Sequence, residues 1–390
     1  MTILVNLVTY GLVFCFALFL KPLALEFNWS RASTAGVFSV YSLTHNLFAL
    51  ITGRLTDKSG PRLVIAVGGF LSGLSMFLMS RATAIWQLYL YYPLIFGWGA
   101  ASVYGPMMAT VSQWFTKKRG MAVAIASMGM GLAPLAFSPL AAWLISSFGW
   151  RTAYVIIGAT CWFFFIPAVK FAKSAPGQSG QCKKVEMEYR QGLTFAQALK
   201  TRTLWMLSFA WLFIFLAYYS IMLHFVSLLT DEGISLLGAG FLQGSIGGAS
   251  LISRVSMAFL SDKIVRKHIL LFSFILQLIM LIWLLFSNKL WMFLLFAIIF
   301  GLGVGGWGSV MSAFPADYFG SKATATILGF FLIFSGVGIA IGSYMGGYIF
   351  DVTNSYYYMI WMDILAVVLA IVSILALKPP VRKDQVYEIH

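Results

Sequence analysis

Apolar residues in this chain gather in blocks too long for the helices of a soluble domain, and they lack the alternation of a half-buried strand. Twelve blocks, each near the ~20 residues that a helix needs to cross a bilayer, lie at roughly 3–24, 34–53, 63–80, 87–113, 120–147, 152–170, 204–229, 236–260, 268–287, 291–315, 323–350 and 356–377. Unpaired backbone cannot face lipid, so every block is predicted to be a transmembrane α-helix. The predicted fold is an all-α membrane protein of twelve such helices. The longest polar interval, 171–203, holds Lys173, Pro176, Lys183, Lys184, Glu186, Glu188 and Arg190. It separates two six-helix bundles, 1–170 and 204–377, and a polar tail follows at 378–390.

The two halves match at an offset of 204–205 residues. Ser30 corresponds to Ser235, Gly36 to Gly240, and Asp57-Lys58 to Asp262-Lys263. Phe96-Gly97-Trp98-Gly99 corresponds to Phe300-Gly301-Leu302-Gly303, and Phe115 and Lys118 to Phe319 and Lys322. A parallel six-span repeat is the architecture of a rocking transporter with its binding site between the halves near the midplane. A receptor or a membrane enzyme has no need of that symmetry.

Charge then sets the orientation. The chain carries 26 Lys and Arg against 12 Asp and Glu, a net charge of +14. With the N-terminus inside, 20 basic residues fall on the cytoplasmic side and 5 (Lys21, Arg31, Arg81, Arg151 and Lys289) on the other. This bias predicts that both termini and the linker are cytoplasmic, in the plasma (cell inner) membrane. It also accounts for the basic balance as topology, so no nucleic-acid partner is expected. One basic residue belongs to neither side: Arg254, inside span eight. The chain enters its first apolar run at once, so no cleavable leader is expected. No P-loop and no Cys/His spacing for a metal is present, so neither cofactor nor catalytic group is expected and the chain is read as no enzyme. Nothing in the sequence requires an oligomer.

The loop after span two reads Gly53-Arg54-Leu55-Thr56-Asp57-Lys58-Ser59-Gly60-Pro61-Arg62. It resembles the signature of the major facilitator superfamily, which implies the major facilitator fold. Gly53 is expected to let helices approach closely. Asp57 is expected to cap a neighbouring helix or pair with Arg119, and Gly60 to turn the chain. Asp262 belongs to a degraded copy after span eight. Three further stretches are similar to the monocarboxylate transporter family and its oxalate/formate antiporter relatives. They are Phe16 to Arg31 with Lys21-Pro22, Gln113 to Ala122, and Arg254 to Asp262. The resemblance implies that an intramembrane arginine, here Arg254, binds the substrate carboxylate, and that a lysine, here Lys21, couples proton and substrate. Two departures stand out. Ser250 occupies the place one turn before the arginine where animal relatives often carry an aspartate. Span eleven lacks the second basic anchor of the oxalate antiporters, which favours a substrate of one negative charge.

A charge at mid-bilayer costs about 2.5–3.5 kcal/mol on insertion scales, so Arg254 is expected to face the bundle interior. Its planar fork suits a carboxylate. Tyr104, Met130, Trp307 and Tyr357 are candidates for the wall around the substrate. Asp363 in span twelve and His224 in span seven are further candidates for proton coupling. Gly338, Gly342 and Gly346, stepping by four, and the glycines of span ten are expected to form close contacts that slide during transport. The expectation is a proton-coupled symporter of a small monocarboxylate of the lactate, pyruvate or acetate class. Its partners are a small organic anion, a proton and the bilayer. An organic anion exchanger of the oxalate/formate type is the alternative, and a transporter-like receptor that binds without translocating is the alternative of another class.

Overall fold

The computed structural model describes residues 2–114, 119–171, 192–260, 264–320 and 322–377. Described helices cover every predicted span. Spans one to three are Thr2–Phe27, Arg31–Ser59 and Pro61–Ser80. Spans seven to nine are Arg202–Asp231, Leu236–Leu260 and Arg266–Leu285, and spans eleven and twelve are Thr324–Thr353 and Tyr357–Leu375. Local chemistry sets the ends. Ser30 caps span two by accepting from the Ser33 amide at 3.0 Å, and Thr201 caps span seven by accepting from Leu204 at 3.3 Å. Gly60, at φ 78°, ends span two and hands the chain to Pro61 at the start of span three, a conformation that favours glycine.

Ten helices are by themselves long and apolar enough to cross a membrane, and the difference from twelve has two causes. Spans five and six run together as Arg119–Phe171, broken in direction at Gly149 (φ 78°, ψ 160°). Its apolar part, Ala126–Pro167, has 42 residues, about 63 Å of helix and twice a ~30 Å hydrocarbon core, so it passes twice. Span four is segmented. Ile85–Leu90 leads into a π-helical turn, Tyr91–Phe96, then Gly97–Ala101, then Tyr104–Trp114 after a break at 102–103. Span ten is interrupted at the corresponding end: Leu290–Val310, a 3₁₀ turn Met311–Ala313, then Phe314–Phe319. The two spans that share the Phe-Gly-x-Gly motif are thus the two that break beyond it.

Within the N-terminal half, span one packs on span five and span three on span six; within the C-terminal half, eight packs on ten and seven on eleven and twelve. The halves meet along two seams, span five against eight and span two against eleven, with span one touching seven. We call the end that carries the 1–2, 7–8 and 11–12 connections the distal end. Glycines line the first seam. A Cβ on Gly240 would stand 2.7 Å from Ala142 Cβ and 2.9 Å from Ser138 O, and one on Gly247 2.8 Å from Pro134 Cβ. The second seam is hydrogen-bonded through backbone carbonyls. Ser39 donates to Ala340 at 2.7 Å, Ser42 to Gly336 at 3.1 Å, and Asn46 to Leu332 at 3.2 Å.

Three expectations change here. Gly338, Gly342 and Gly346 do pack tightly, but against Leu212, Leu216 and His224 of span seven, inside one half. The span-ten glycines Gly301 and Gly305 likewise pack on span eight. Glycine contacts between the halves are instead made by Gly240, Gly244 and Gly247 on the first seam and by Gly347, against Arg31 and Ala32, on the second. Gly53 supports no close approach, since a Cβ there would meet nothing within 4 Å. Lys58 and Arg62 are exposed. The side chains of Asp57 and Arg119, all of Asp262, and 172–191 of the linker lie outside the described residues, as does the tail from 378.

Candidate functional site

Span ten makes room for Arg254. A Cβ on Gly305 would stand 2.9 Å from the Arg254 amide nitrogen, and one on Gly308 3.0 Å from its Nη2. Two glycines therefore bring the arginine of span eight, backbone and guanidinium, directly onto the neighbouring helix. Among the described residues no carboxylate pairs with it, and its Nε is buried without a hydrogen-bond partner. Ser250, one turn earlier, gives its hydroxyl to Gly247 O at 2.8 Å and offers Arg254 no charge.

Four phenols share the electrostatic neighbourhood of the guanidinium. Tyr10, Tyr104, Tyr218 and Tyr219 all stand within range of its charge, from spans one, four and seven. Tyr10 and Tyr104 meet edge to face at 5.8 Å, and Tyr218 and Tyr219 at 4.9 Å. Arg254 and Tyr10 are half-buried and Tyr104 is 36% exposed, so the group is accessible. Such a place offers an anion one fork-shaped cation, several hydroxyl donors and apolar ring faces.

The other candidates divide. Met130 is half-buried, and next to it Gly131 packs on Leu251 of span eight, three residues before Arg254. Trp307 is buried one layer behind. Its ring meets Tyr218 at 5.9 Å and Phe215 at 5.2 Å, and its indole N–H donates to the Gln277 amide oxygen at 2.8 Å. It supports Tyr218 and does not reach into the site. Tyr357 is a correction: it starts span twelve, 48% exposed, against Tyr358 and Trp361, and is not part of the Arg254 group. The starting turn of a helix at the distal end cannot line its middle.

Lys21 is also away from Arg254. It lies 11 residues beyond Tyr10 on span one, about 16 Å along the axis. Its Nζ donates to Asp231 Oδ1 at 2.6 Å and to Thr230 Oγ1 at 3.1 Å, both at the end of span seven. Arg31 takes the same carboxylate from the other side, Nη1 to Oδ2 at 2.6 Å and Nη2 to Oδ1 at 3.0 Å. Arg31 also donates to the Tyr356 hydroxyl at 2.7 Å and lies 3.6 Å from the centre of the Phe350 ring. Asp351 accepts the amides of Arg31 and Ala32 at 2.9 and 2.8 Å, capping span two from span eleven. Every one of these contacts joins one half to the other.

His224 is occupied inside the C-terminal half. Its Nε2 lies 2.9 Å from Ser343 O and its Nδ1 3.3 Å from the Tyr356 hydroxyl. A neutral imidazole donating from Nε2 and accepting at Nδ1 uses both nitrogens, which corrects its candidacy as a free proton carrier. Asp363 is fully buried, and neither carboxyl oxygen has a hydrogen-bond partner. Ser220 of span seven lies against it with an unpartnered hydroxyl of its own.

Tyr10, Tyr218, Tyr219 and Asp231 escaped the sequence reading. Aromatics form 17% of the chain and Asp231 borders a loop, so neither type stood out.

Comparisons with known proteins bear on the family and the fold. The family model described as Major Facilitator Superfamily matches residues 2–265 and 233–388. Monocarboxylate transporter 13 of Rattus norvegicus is 25% identical over 362 residues, 89% of this chain and 80% of that one. Monocarboxylate transporter 2 of Homo sapiens is 24% identical over 375 residues, 90% of this chain and 78% of that one. Among solved structures, a bacterial homologue of the human lysosomal transporter Spinster, inward-facing and unoccupied, superposes with a TM-score of 0.76 at 16% identity. That match covers 96% of this chain and 95% of the other, and it shows the fold alone.

Proposed function

We propose that this chain, which belongs to the Major Facilitator Superfamily, moves a small monocarboxylate together with a proton by alternating access. The observation that carries the reading is Arg254, a guanidinium inside the bundle with no carboxylate partner among the described residues, with Tyr10, Tyr104, Tyr218 and Tyr219 within range of its charge. A desolvated cation without a counter-ion is costly to keep, and a site that binds a carboxylate explains its retention. One such arginine, with Ser250 in place of an acid, suits one negative charge. The names of the curated relatives support the same substrate class. Lys21 is the candidate coupling residue, as the family resemblance of the Phe16 to Arg31 stretch implies.

Alternating access needs the halves to part at one end while they meet at the other. The described contacts between them at the distal end (Lys21 and Arg31 with Asp231, Gly240 with Ser138) correspond to a molecule closed there. The reading is tested by a panel of labelled small acids offered to proteoliposomes with and without an imposed pH gradient. Concentrative uptake of a monocarboxylate driven by inward proton flow is the expected result. Uptake that needs an internal counter-anion and ignores the gradient would replace symport by exchange.

Basic residues also assign sides. Both termini and the linker 171–203 are proposed to be cytoplasmic, which makes the distal end the outer one. Single cysteines placed in 171–203 should resist an impermeant maleimide in intact cells and react after permeabilisation. Labelling of intact cells would invert the topology.

A further inference from the structure

Away from Arg254, the ends of spans three and six form a pocket of about 530 Å³ within the N-terminal half. Its walls are Ser80, Arg81, Thr83, Arg151, Thr152 and Val155, with no acid among them. It lies at the distal end, because Arg151 and Trp150 both reach Glu26 in the last turn of span one. We propose that this pocket binds the phosphate of a phospholipid headgroup, with the lipid's chains lying along the apolar strip that spans three and six expose beneath it. The proposal stands independently of the transport reading.

Two guanidinium groups define the site. Among the described residues Arg81 makes no ion pair. It follows the last residue of span three, is exposed, and holds its guanidinium 5.7 Å from the centre of the Phe77 ring, one turn below. Arg151 gives Nη1 to Glu26 and keeps the rest of its fork. Two arginines and one glutamate leave a single positive charge, which one phosphodiester neutralises. Guanidinium forks match phosphate oxygens. Arg151 and Thr152 also stand in the first turn after the break at Gly149, where a helix presents its positive end to an anion.

A soluble anion uses these charges and nothing more, whereas the surroundings suit a lipid. Val155, one turn along from Arg151, and Phe77 beneath Arg81 are both exposed. Two turns deeper, Phe70 of span three stacks on Trp162 of span six at 6.1 Å and is 58% exposed. From Phe70 to Ser80 is 10 residues, about 15 Å of helix. That is half of a ~30 Å hydrocarbon core, so the strip is as long as one leaflet is deep and its cations stand at headgroup level. Both walls belong to one half and are packed together, a Cβ on Gly158 meeting Gly73 O at 3.1 Å. The site is therefore intact whichever end of the molecule is open. Charge also selects the headgroup. A choline head adds a cation where two arginines already stand, while a polyol head adds hydroxyls that Thr83 and Thr152 can meet. The preferred lipid carries net negative charge and an uncharged, hydroxylated head.

The test counts lipid bound to the full chain, stripped of lipid in detergent micelles, by native mass spectrometry. The probes are phosphatidylglycerol, phosphatidylcholine and inorganic phosphate. Phosphatidylglycerol is expected to occupy one site more tightly than phosphatidylcholine. Arg81→Gln should weaken it about tenfold, as the loss of one hydrogen bond to a charged group does. Thr83→Glu, which offers the two arginines a carboxylate from an exposed turn, should weaken it at least as much. Lys289→Gln removes an exposed cation from the other half and should bind like the unchanged chain. Equal binding of the two lipids, or equal losses in Arg81→Gln and Lys289→Gln, would overturn the site. So would unaltered binding by Thr83→Glu, which also answers for the case in which Arg81→Gln does not fold. Inorganic phosphate that displaces phosphatidylglycerol at equal concentration would overturn the lipid as the source of the phosphate.

Discussion

Arg254→Gln is expected to abolish saturable uptake of small monocarboxylates while leaving the helices inserted and folded. The guanidinium meets no carboxylate among the described residues, so its removal breaks no internal ion pair and leaves no orphaned acid behind. Glutamine keeps much of the length and polarity and loses the charge. Removing one partner of a desolvated pair typically costs about 2–5 kcal/mol, roughly 30-fold or more in affinity. Arg254→Lys should fail as well, because an ammonium lacks the planar fork that grips both oxygens. Gly305 and Gly308 sharpen the point: span ten is shaped to the backbone and the guanidinium of this particular side chain. Uptake in proteoliposomes at matched reconstitution checks the prediction. Near-normal transport by Arg254→Gln would remove Arg254 from the substrate site.

Lys21→Gln is expected to lose proton-driven accumulation, and Lys21→Arg to lose the pH dependence of transport while still closing. In the first variant the distal cluster keeps Arg31 on Asp231 but has one positive charge fewer at every pH. In the second, a cation that does not titrate in this range holds Asp231 regardless of proton concentration. Measuring uptake against pH for the three proteins at equal surface expression separates these outcomes. Superimposable profiles for Lys21→Gln and the unchanged chain would place the proton elsewhere. Asp363, buried with no charged partner among the described residues and only Ser220 against it, would then be the next candidate.

Much of this architecture was legible because bilayer physics writes it in composition. Twelve apolar blocks, a polar interval at 171–203 and a repeat offset of 204–205 residues carry the halves without any contact information. The interval 148–151 left open between the fifth and sixth blocks holds their turn, at Gly149 (φ 78°). The exceptions are places where geometry departs from composition. The π turn at Tyr91–Phe96 has no residue signature. Arg254 was legible for the opposite reason, since a charge within an apolar run announces itself. Of its four tyrosines Tyr104 alone was singled out; Tyr10, Tyr218 and Tyr219 were not, because each is one aromatic among many and only the bundle brings spans one, four and seven together. Lys21 was visible as a charge at a span end. Asp231, 210 residues away, was not, because their pairing belongs to the way two halves close.

The π turn in span four has a consequence of phase. A helix advances about 100° per residue, and a wide turn closed by i→i+5 bonds amounts to one residue inserted into an α-helix. The stretch after Phe96 is therefore rotated by about 100° from where an unbroken α-helix would aim it, and the break at 102–103 hands that offset on to Tyr104–Trp114. Tyr104 lies on that rotated stretch, and its ring meets Tyr10 beside Arg254. Span four works like a clock set one hour forward, with Tyr104 as its hand. Deleting Leu94 would set it back. The apolar pattern, and with it membrane insertion, would survive, but Tyr104 would turn away from the arginine. Uptake should weaken at unchanged helical content and surface expression, as a substitution confined to the tyrosine itself would weaken it.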